Sequence, residues 1–175
     1  SVPSVEYEAV DLGLSVKWAS MNVGATSPED AGSFFAWGET KKKDYYGDWV
    51  EYGDYKWIAY DEYLSKYIMT KYTTSQAGGD GLYTLQPEDD PATVNMGSTW
   101  RTPTHDEIIE LLFGPDIKWT WNAEKQGYVV QSTINGKYIF LPAAGYRGNS
   151  NIYEEGTGGY YWSSSVNANR TTEAS

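Results

Sequence analysis

The chain has 175 residues, a formal net charge of −11 at pH 7, and 16% aromatic residues among 40% hydrophobic ones. A chain of this length can bury a core of its own, so we predict a single domain over residues 1–175. The acidic excess excludes nucleic acid as a partner, because phosphate backbones need a basic surface. Cysteine is absent, which excludes disulfides, thiol nucleophiles and thiolate metal sites, and no apolar run has the length of a membrane span.

The first half of the chain contains two predicted strands and a long aromatic segment. Residues 5–25 alternate apolar with polar or small side chains around Gly13, which predicts a strand, a glycine turn and a second strand. Residues 34–72 are rich in Tyr and Trp without a sustained period, and we interpret most of them as a long ordered loop packed by its own rings. A short helix near residues 58–69 is predicted from four side chains at helical spacing: Trp57, Tyr60, Leu64 and Tyr67.

Two helices are predicted around the central stretch of the chain. Acidic residues followed by a proline predict a short helix over residues 88–95. A second helix is predicted over residues 105–113, because Thr104 and Glu107 have the spacing of a capping box and Gly-Pro follows at residues 114–115. Its predicted apolar stripe consists of Ile108, Leu111 and Leu112.

Strands are predicted to follow the second helix. Residues 118–121 alternate as a strand does, and Asn-Gly at 135–136 joins two β-rich runs, which is the strongest short-range signal of a hairpin. Residues 160–165 predict one more strand. The predicted fold class is therefore α+β. Four tryptophans are assigned to its core: Trp18, Trp37, Trp100 and Trp162.

Six motifs in order give the chain a family resemblance. They are VDLGLSVKWAS at 10–20, NVGA at 22–25, FAWGET at 35–40, WRTPT at 100–104, LPAAGYR at 141–147 and GYYWSS at 159–164. Together they resemble the Fibrobacter succinogenes major paralogous domain family, found in surface and secreted proteins of gut Bacteroidetes. That family is similar in turn to the formylglycine-generating-enzyme branch of C-type-lectin-like folds.

The resemblance implies a fold, a location and a missing segment. The fold would be C-type-lectin-like, with two short helices flanking a small antiparallel sheet and long loops presenting the binding face. The location would be secreted or at the cell surface. Family members continue into two further strands that this sequence lacks, so we expect a truncated chain or one completed by a partner chain. A first strand left unpaired would then be an edge prone to self-association.

The residue types do not favour catalysis, and we expect a protein that is not an enzyme. The formylglycine-generating relatives use reactive cysteines, which are absent here, and the non-haem iron relatives use several histidines, whereas His105 is the only one in the chain. A carboxylate-pair hydrolase stays open as a less favoured alternative, because 24 acidic residues are present and the separation that such a pair needs is spatial.

Asp89 and Asp90 have two interpretations. With Asp80 or Asn95 they would supply oxygen ligands of the kind that calcium prefers. Alternatively, they cap the helix that follows them. Capping is the simpler interpretation, so we predict no cofactor and no metal site, and calcium is kept as the alternative.

Two loops supply the predicted ligand-binding residues. Sugar rings stack their C–H faces on Tyr and Trp, which combine apolar area with a polar tip, while Asn and Arg bind hydroxyl groups. The predicted residues are Tyr45, Tyr46, Trp49, Tyr52, Tyr55, Arg147, Asn149, Asn151 and Tyr153. We therefore expect a cell-surface or extracellular adhesion module that recognises glycan or protein. The alternative is a structural or adhesin assembly domain completed by a partner strand.

Overall fold

The computed structural model describes residues 5–47, 54–74 and 78–166. Over these ranges the chain is a mixture of few helices and small antiparallel sheets, which agrees with the α+β class at that level. The helices are α1 (Pro91–Met96) and α2 (His105–Phe113), with a 3-10 helix at Pro87–Asp89. The strands are β1 (Ala9–Val10), β2 (Trp18–Ala19), β3 (Ile58–Asp61), β4 (Lys66–Met69), β5 (Ile117–Asn122), β6 (Gly127–Ser132), β7 (Tyr138–Pro142), β8 (Tyr146–Gly148) and β9 (Asn151–Tyr153). None of the helices in the described ranges has the length and apolar character needed to cross a membrane.

The chain divides into two compact units, and each unit draws on three stretches of sequence. Unit 1 comprises Ser1–Phe34, Asp106–Tyr146 and Ile152–Tyr161. Unit 2 comprises Phe35–His105, Arg147–Asn151 and Trp162–Ser175. Each unit has a hydrophobic core of its own, so each is described separately.

The core of unit 1 lies on the three-stranded sheet β5-β6-β7. Both strand pairs are antiparallel, with Trp119 opposite Val130 and Val130 opposite Ile139. These inward side chains pack with Leu111 of α2 and with Leu12, which follows β1. The indole Nε1–H of Trp119 donates to the carbonyl of Leu111 at 3.0 Å, which fixes the helix on the sheet.

Most local predictions for unit 1 are confirmed. The helix over 105–113, the hairpin around Asn135 and Gly136, and the strand at 118–121 all form, and β1 pairs with β2 as the predicted strand–turn–strand. The predicted apolar stripe of α2 is wrong at one position. Leu111 is buried, whereas Leu112 is exposed together with Phe113, because Leu111 occupies the side of the helix that faces the sheet.

Aromatic side chains build the core of unit 2. Its buried members are Ala36, Trp37, Tyr55, Trp57, Tyr72 and Leu85. The Tyr72 ring meets Trp37 edge-on at 5.0 Å and Trp57 edge-on at 5.6 Å between centroids, a geometry that adds to the apolar burial. The described part of the segment 34–72 is thus held by its own rings, as predicted.

The predicted helix near residues 58–69 is wrong, because this segment is the β3–β4 hairpin. Its strands pair from Ile58↔Met69 to Asp61↔Lys66. At the turn, the Asp61 carboxylate accepts the Leu64 N–H at 2.8 Å, and Ser65 has φ of 50°, a left-handed conformation that interrupts a right-handed helix. The helical spacing of the rings was therefore coincidental.

The predicted strand at residues 160–165 does not form. Ser164 donates its N–H to the carbonyl of Pro103 and accepts the Leu85 N–H at its own carbonyl, so its backbone bonds to two separate segments instead of one partner strand. Trp37 is buried as predicted, and Trp18 and Trp100 are partly buried. The core assignment of Trp162 is wrong, because its ring is exposed. Its Nε1–H donates to the carbonyl of Phe35 at 3.0 Å.

Candidate functional site

Three tyrosine rings on the surface of unit 1 form a continuous patch, which we call the tyrosine platform: Tyr146, Tyr153 and Tyr160. Tyr146 stacks on Tyr153 with centroids 5.4 Å apart and planes 22° apart. Tyr160 meets Tyr146 edge-on at 5.0 Å. The three residues are 41%, 40% and 57% exposed, so the platform presents aromatic area to solvent.

The β8–β9 hairpin places two of the rings. A two-residue loop, Asn149 and Ser150, separates the strands, and Asn149 takes a φ of 55°, which asparagine tolerates in turns. Tyr146 begins β8 and Tyr153 ends β9, so the two side chains stand opposite each other at the open end of the hairpin. Cross-strand aromatic pairs of this kind stabilise a hairpin by up to about 1 kcal/mol.

Gly145 allows the chain to close behind the platform. Its φ is +68°, and a Cβ at this position would lie 2.1 Å from the carbonyl oxygen of Tyr153. Its N–H donates to the carbonyl of Gly158 at 2.7 Å, which brings the returning loop and Tyr160 to the hairpin. Any side chain at Gly145 would displace this arrangement.

Glu154 supplies a carboxylate at the edge of the platform. The Tyr160 hydroxyl donates to its Oε2 atom at 2.5 Å. This hydrogen bond is the main reason why the pKa of Tyr160 is raised, since a phenolate beside the carboxylate is disfavoured. A Cβ at Gly158 would lie 2.8 Å from the same Oε2 atom, so a side chain there would shift the Glu154 carboxylate.

The ring spacing leaves no room for an aromatic cage. A cage holds a cation between ring faces, each within about 6 Å of it, which requires a gap between the rings. Here the centroids are 5.0 to 5.4 Å apart, so the rings fill the space between them. The platform can therefore stack against a flat apolar face of a ligand.

The described residues of the first predicted loop do not join the platform. Tyr55 is a correction: it is 4% exposed in the core of unit 2, where its hydroxyl donates to the carbonyl of Trp37 at 2.9 Å and burial raises its pKa. Tyr46 packs against the same core, and Tyr45 is half-buried. Trp49 and Tyr52 lie outside the described residues.

Of the predicted residues of the second loop, only Tyr153 is in the platform. Arg147 donates from Nη1 to the carbonyl of Lys43 at 3.2 Å, and its guanidinium lies 5.9 Å from the centroid of the Tyr46 ring. Asn149 exchanges both backbone hydrogen bonds with Tyr46. These contacts connect two segments of unit 2, whereas Asn151 is exposed on β9.

Sequence reasoning missed Tyr146, Tyr160 and Glu154. Tyr146 and Tyr160 lie in two of the six motifs, but no role followed from their positions. One sequence feature could have identified the first pair of rings. Tyr146 and Tyr153 are equally far along the chain from the turn at Asn149 and Ser150, so a hairpin with this turn places the two rings opposite each other. Nothing local predicts that Tyr160 returns to the same surface.

Asp89 and Asp90, the residues of the calcium alternative, make other contacts. Asp90 caps α1, accepting the N–H groups of Ala92 and Thr93, which confirms the simpler interpretation for Asp90. Asp89 accepts from Lys56, Lys71 and Tyr72. Within residues 5–47, 54–74 and 78–166, no group of three or more His, Cys, Asp or Glu side chains is arranged to hold a metal ion.

Comparison of the chain with protein families, with curated proteins and with solved structures found no match.

Proposed function

We propose that this protein is a non-catalytic, secreted or cell-surface module that binds glycan through the tyrosine platform. The observation that carries the proposal is the exposed, mutually packed surface of Tyr146, Tyr153 and Tyr160. The scaffold would be the C-type-lectin-like fold that the six sequence motifs imply. Its loops would then present the platform, as loops on a rigid scaffold commonly present binding residues.

The chemistry of the platform suits a pyranose ring. The C–H face of a sugar is flat and apolar, so it can cover the stacked rings and remove their area from water, which contributes about 25 cal/mol per Å². Glu154 lies at the edge, and its carboxylate has acceptor capacity beyond the one bond from Tyr160. It would orient the sugar by accepting hydroxyl protons.

Two of the buried carboxylates, Glu39 and Asp89, form ion pairs with lysines, which argues against their use as the carboxylate pair of a hydrolase. A glycosidase needs an acid whose pKa is raised and a second carboxylate in the same cleft. Glu39 instead accepts Lys43 Nζ at 2.9 Å and the Lys56 N–H at 2.8 Å. Asp89 has a lowered pKa: burial raises it, but the bonds from two lysines and a tyrosine outweigh burial.

A glycan array tests the proposal, run with calcium and repeated with a chelator. We expect binding that survives chelation and falls about five- to thirtyfold in Tyr153→Ala, which corresponds to about 1–2 kcal/mol. Tyr138→Ala is the matched control, because Tyr138 is an exposed tyrosine of unit 1 that lies on β7. Its binding should equal that of the unchanged protein.

Two results would contradict the proposal. Binding that Tyr153→Ala leaves intact would remove the platform from recognition, and binding abolished by the chelator would assign it to a metal site. A blank array obtained with folded protein would favour the second candidate below.

The second candidate is an assembly domain, and the tip of the β3–β4 hairpin favours it. Tyr63 is 95% exposed at this tip, next to exposed Leu64. Tyr60 and Tyr67 extend the same apolar surface along the strands, with rings 5.3 Å apart. Exposed apolar surfaces of this kind mark association sites. If the candidate is right, sedimentation will show concentration-dependent association that Tyr63→Ser abolishes.

A further inference from the structure

Helix α2 presents a second apolar surface, separate from the stripe that it buries. Ile109, Leu112 and Phe113 are all exposed, and their i, i+3, i+4 spacing puts them on one side of the helix. Phe113 is 74% exposed. A globular helix normally turns polar residues to this side, so the stripe is unexplained by the folding of unit 1.

A further exposed apolar side chain lies on the β6–β7 turn, which is bonded to the segment that follows α2. Ile134, at this turn, is 67% exposed. The residues on either side of Ile134 form hydrogen bonds to two other segments. The Thr133 N–H donates to the carbonyl of Asp116, after α2, at 2.8 Å. The side-chain amide of Asn135 donates to the carbonyl of Asp11, after β1, at 2.9 Å. We call Ile109, Leu112, Phe113 and Ile134 together the α2 surface.

The interior contacts of unit 1 are complete without the α2 surface. Leu111 is buried in the core, and its carbonyl accepts the indole N–H of Trp119. Glu110 accepts from both the N–H and the hydroxyl of Ser15, which fixes another side of the helix. These contacts hold α2 in place through residues that lie outside the α2 surface.

The charged residues of helix α2 and of the turn after it are all acidic, whereas the β6–β7 turn contains one exposed cation, Lys137. Residues 102–117 include acidic residues at 106, 107, 110 and 116 and contain no Lys or Arg. Asp11 and Asp116 belong to the segments that hold the turn bearing Ile134. An apolar stripe with acidic surroundings is complementary to apolar side chains flanked by basic ones.

We propose that the α2 surface docks a basic amphipathic segment of a partner protein. Apolar side chains of that segment cover Phe113 and Ile134, as in the known mode where an amphipathic helix uses anchors at i, i+3 and i+4. Its Lys or Arg side chains face Asp116. The inference does not depend on the tyrosine platform.

Fluorescence anisotropy with three synthetic peptides tests the proposal. The peptides have about 18 residues, or five helical turns: a Leu/Lys amphipathic helix, a Leu/Glu helix of the same pattern, and a Ser/Lys peptide of the same charge. We expect the Leu/Lys peptide to bind at least tenfold more tightly than either of the others. Added salt should weaken this binding, because the charges lie at the surface.

Surface variants decide whether the apolar stripe is responsible. Phe113→Ser combined with Ile134→Ser should weaken Leu/Lys binding about tenfold, and both side chains are exposed enough for the fold to persist, which circular dichroism checks. Tyr138→Ser is the control and should bind as the unchanged protein does. Asp116→Asn should weaken Leu/Lys binding and reduce its dependence on salt. If the double variant does not fold, this single variant still tests the proposal.

Three outcomes would overturn the proposal. Equal binding of the Leu/Lys and Ser/Lys peptides would mean that charge alone attracts them. Unchanged Leu/Lys binding by the double variant would place the peptide elsewhere. A dimer in the absence of peptide, abolished by the same double variant, would show that a second copy of this chain covers the α2 surface.

Discussion

Replacing Asp89 by Asn tests how strongly unit 2 depends on a carboxylate that is almost fully buried. Its Oδ1 accepts Lys56 Nζ at 2.8 Å, and its Oδ2 accepts Lys71 Nζ at 2.6 Å and the Tyr72 hydroxyl at 2.7 Å. Both ammonium groups also lie over the Trp57 ring, 4.2 and 5.2 Å from its centroid. The substitution keeps the shape of the side chain while it removes the charge and one acceptor.

The expected loss follows from the exposure of each partner. The Lys56 side chain is 48% exposed and can return to water, so its bond contributes under about 1 kcal/mol. The Lys71 side chain is 25% exposed and Tyr72 is buried, so each loses a bond to a charged acceptor that contributes about 1.5–3 kcal/mol. Because the Asn oxygen still accepts one of these bonds, we expect a total loss of about 3 kcal/mol.

Denaturant unfolding followed by tryptophan fluorescence measures this loss, since Trp37 and Trp57 lie in the same core. Glu88→Gln is the matched control. Glu88 is the adjacent residue and also contacts Lys71, at 3.2 Å, but its side chain is 67% exposed, so we expect a change within about 0.5 kcal/mol. If Asp89→Asn destabilised the protein no more than Glu88→Gln, the buried network would not be a main support of unit 2.

The lowered pKa of Asp89 adds a dependence on pH with a definite sign. Its hydrogen bonds hold the folded-state pKa below the ordinary value, so the folded state binds the proton less readily than the unfolded state. The stabilisation is therefore complete above about pH 4 and is lost as the pH falls through the folded-state pKa. Asp89→Asn should flatten the acid side of the stability profile, and an unchanged slope would assign it to other carboxyl groups.

Three further predictions concern single side chains. Gly145→Ala should destabilise the protein by more than about 2 kcal/mol in thermal unfolding, because it adds a clash with Tyr153 to the left-handed backbone strain of about 1–2 kcal/mol. Gly136→Ala is the control: with φ of +74° and nothing within 4 Å of its Cβ, it should lower the free energy of unfolding by the backbone strain alone. Glu154→Gln should increase array signals from acidic glycans relative to neutral ones, because it removes the repelling charge beside the platform, and an unchanged ratio would contradict this. Tyr63→Ser should change the free energy of unfolding by less than about 0.5 kcal/mol, since its ring is exposed; a larger loss would show that the hairpin tip packs in solution.

Local signals were sufficient for several elements of the fold. The helix α2 begins after Thr104 and ends before Gly114 as predicted, because its stop signal and its apolar spacing lie within the same stretch. The β6–β7 hairpin followed from Asn135 and Gly136, since few residue pairs tolerate that turn. In both cases the information lies within a few residues of the element that it determines.

The β3–β4 hairpin shows where local information was ambiguous. Tyr60 and Tyr67 are seven residues apart, which suits two turns of one helix, and they also fit opposite positions of a hairpin whose turn lies midway. The decisive contact is the Asp61 carboxylate on the Leu64 N–H, a local turn that competes with helix formation. The turn formed by Asp61 and the left-handed Ser65 therefore determines the structure of this segment, whereas the spacing of the rings does not.

The same ambiguity limits any prediction of which aromatic residues bind a ligand. Tyr55 and Tyr153 were both predicted to bind a ligand, yet one is buried and the other exposed. What separates them is a partner far away in sequence: the Tyr55 hydroxyl reaches the carbonyl of Trp37, whereas the Tyr153 ring finds Tyr146. A tyrosine can satisfy its polar tip either inside or at the surface. The backbone path through Gly145, which leaves no room for a side chain, brings the loop that carries Tyr160 to the hairpin that carries Tyr146 and Tyr153, and this is why Gly145→Ala tests the site as well as the fold.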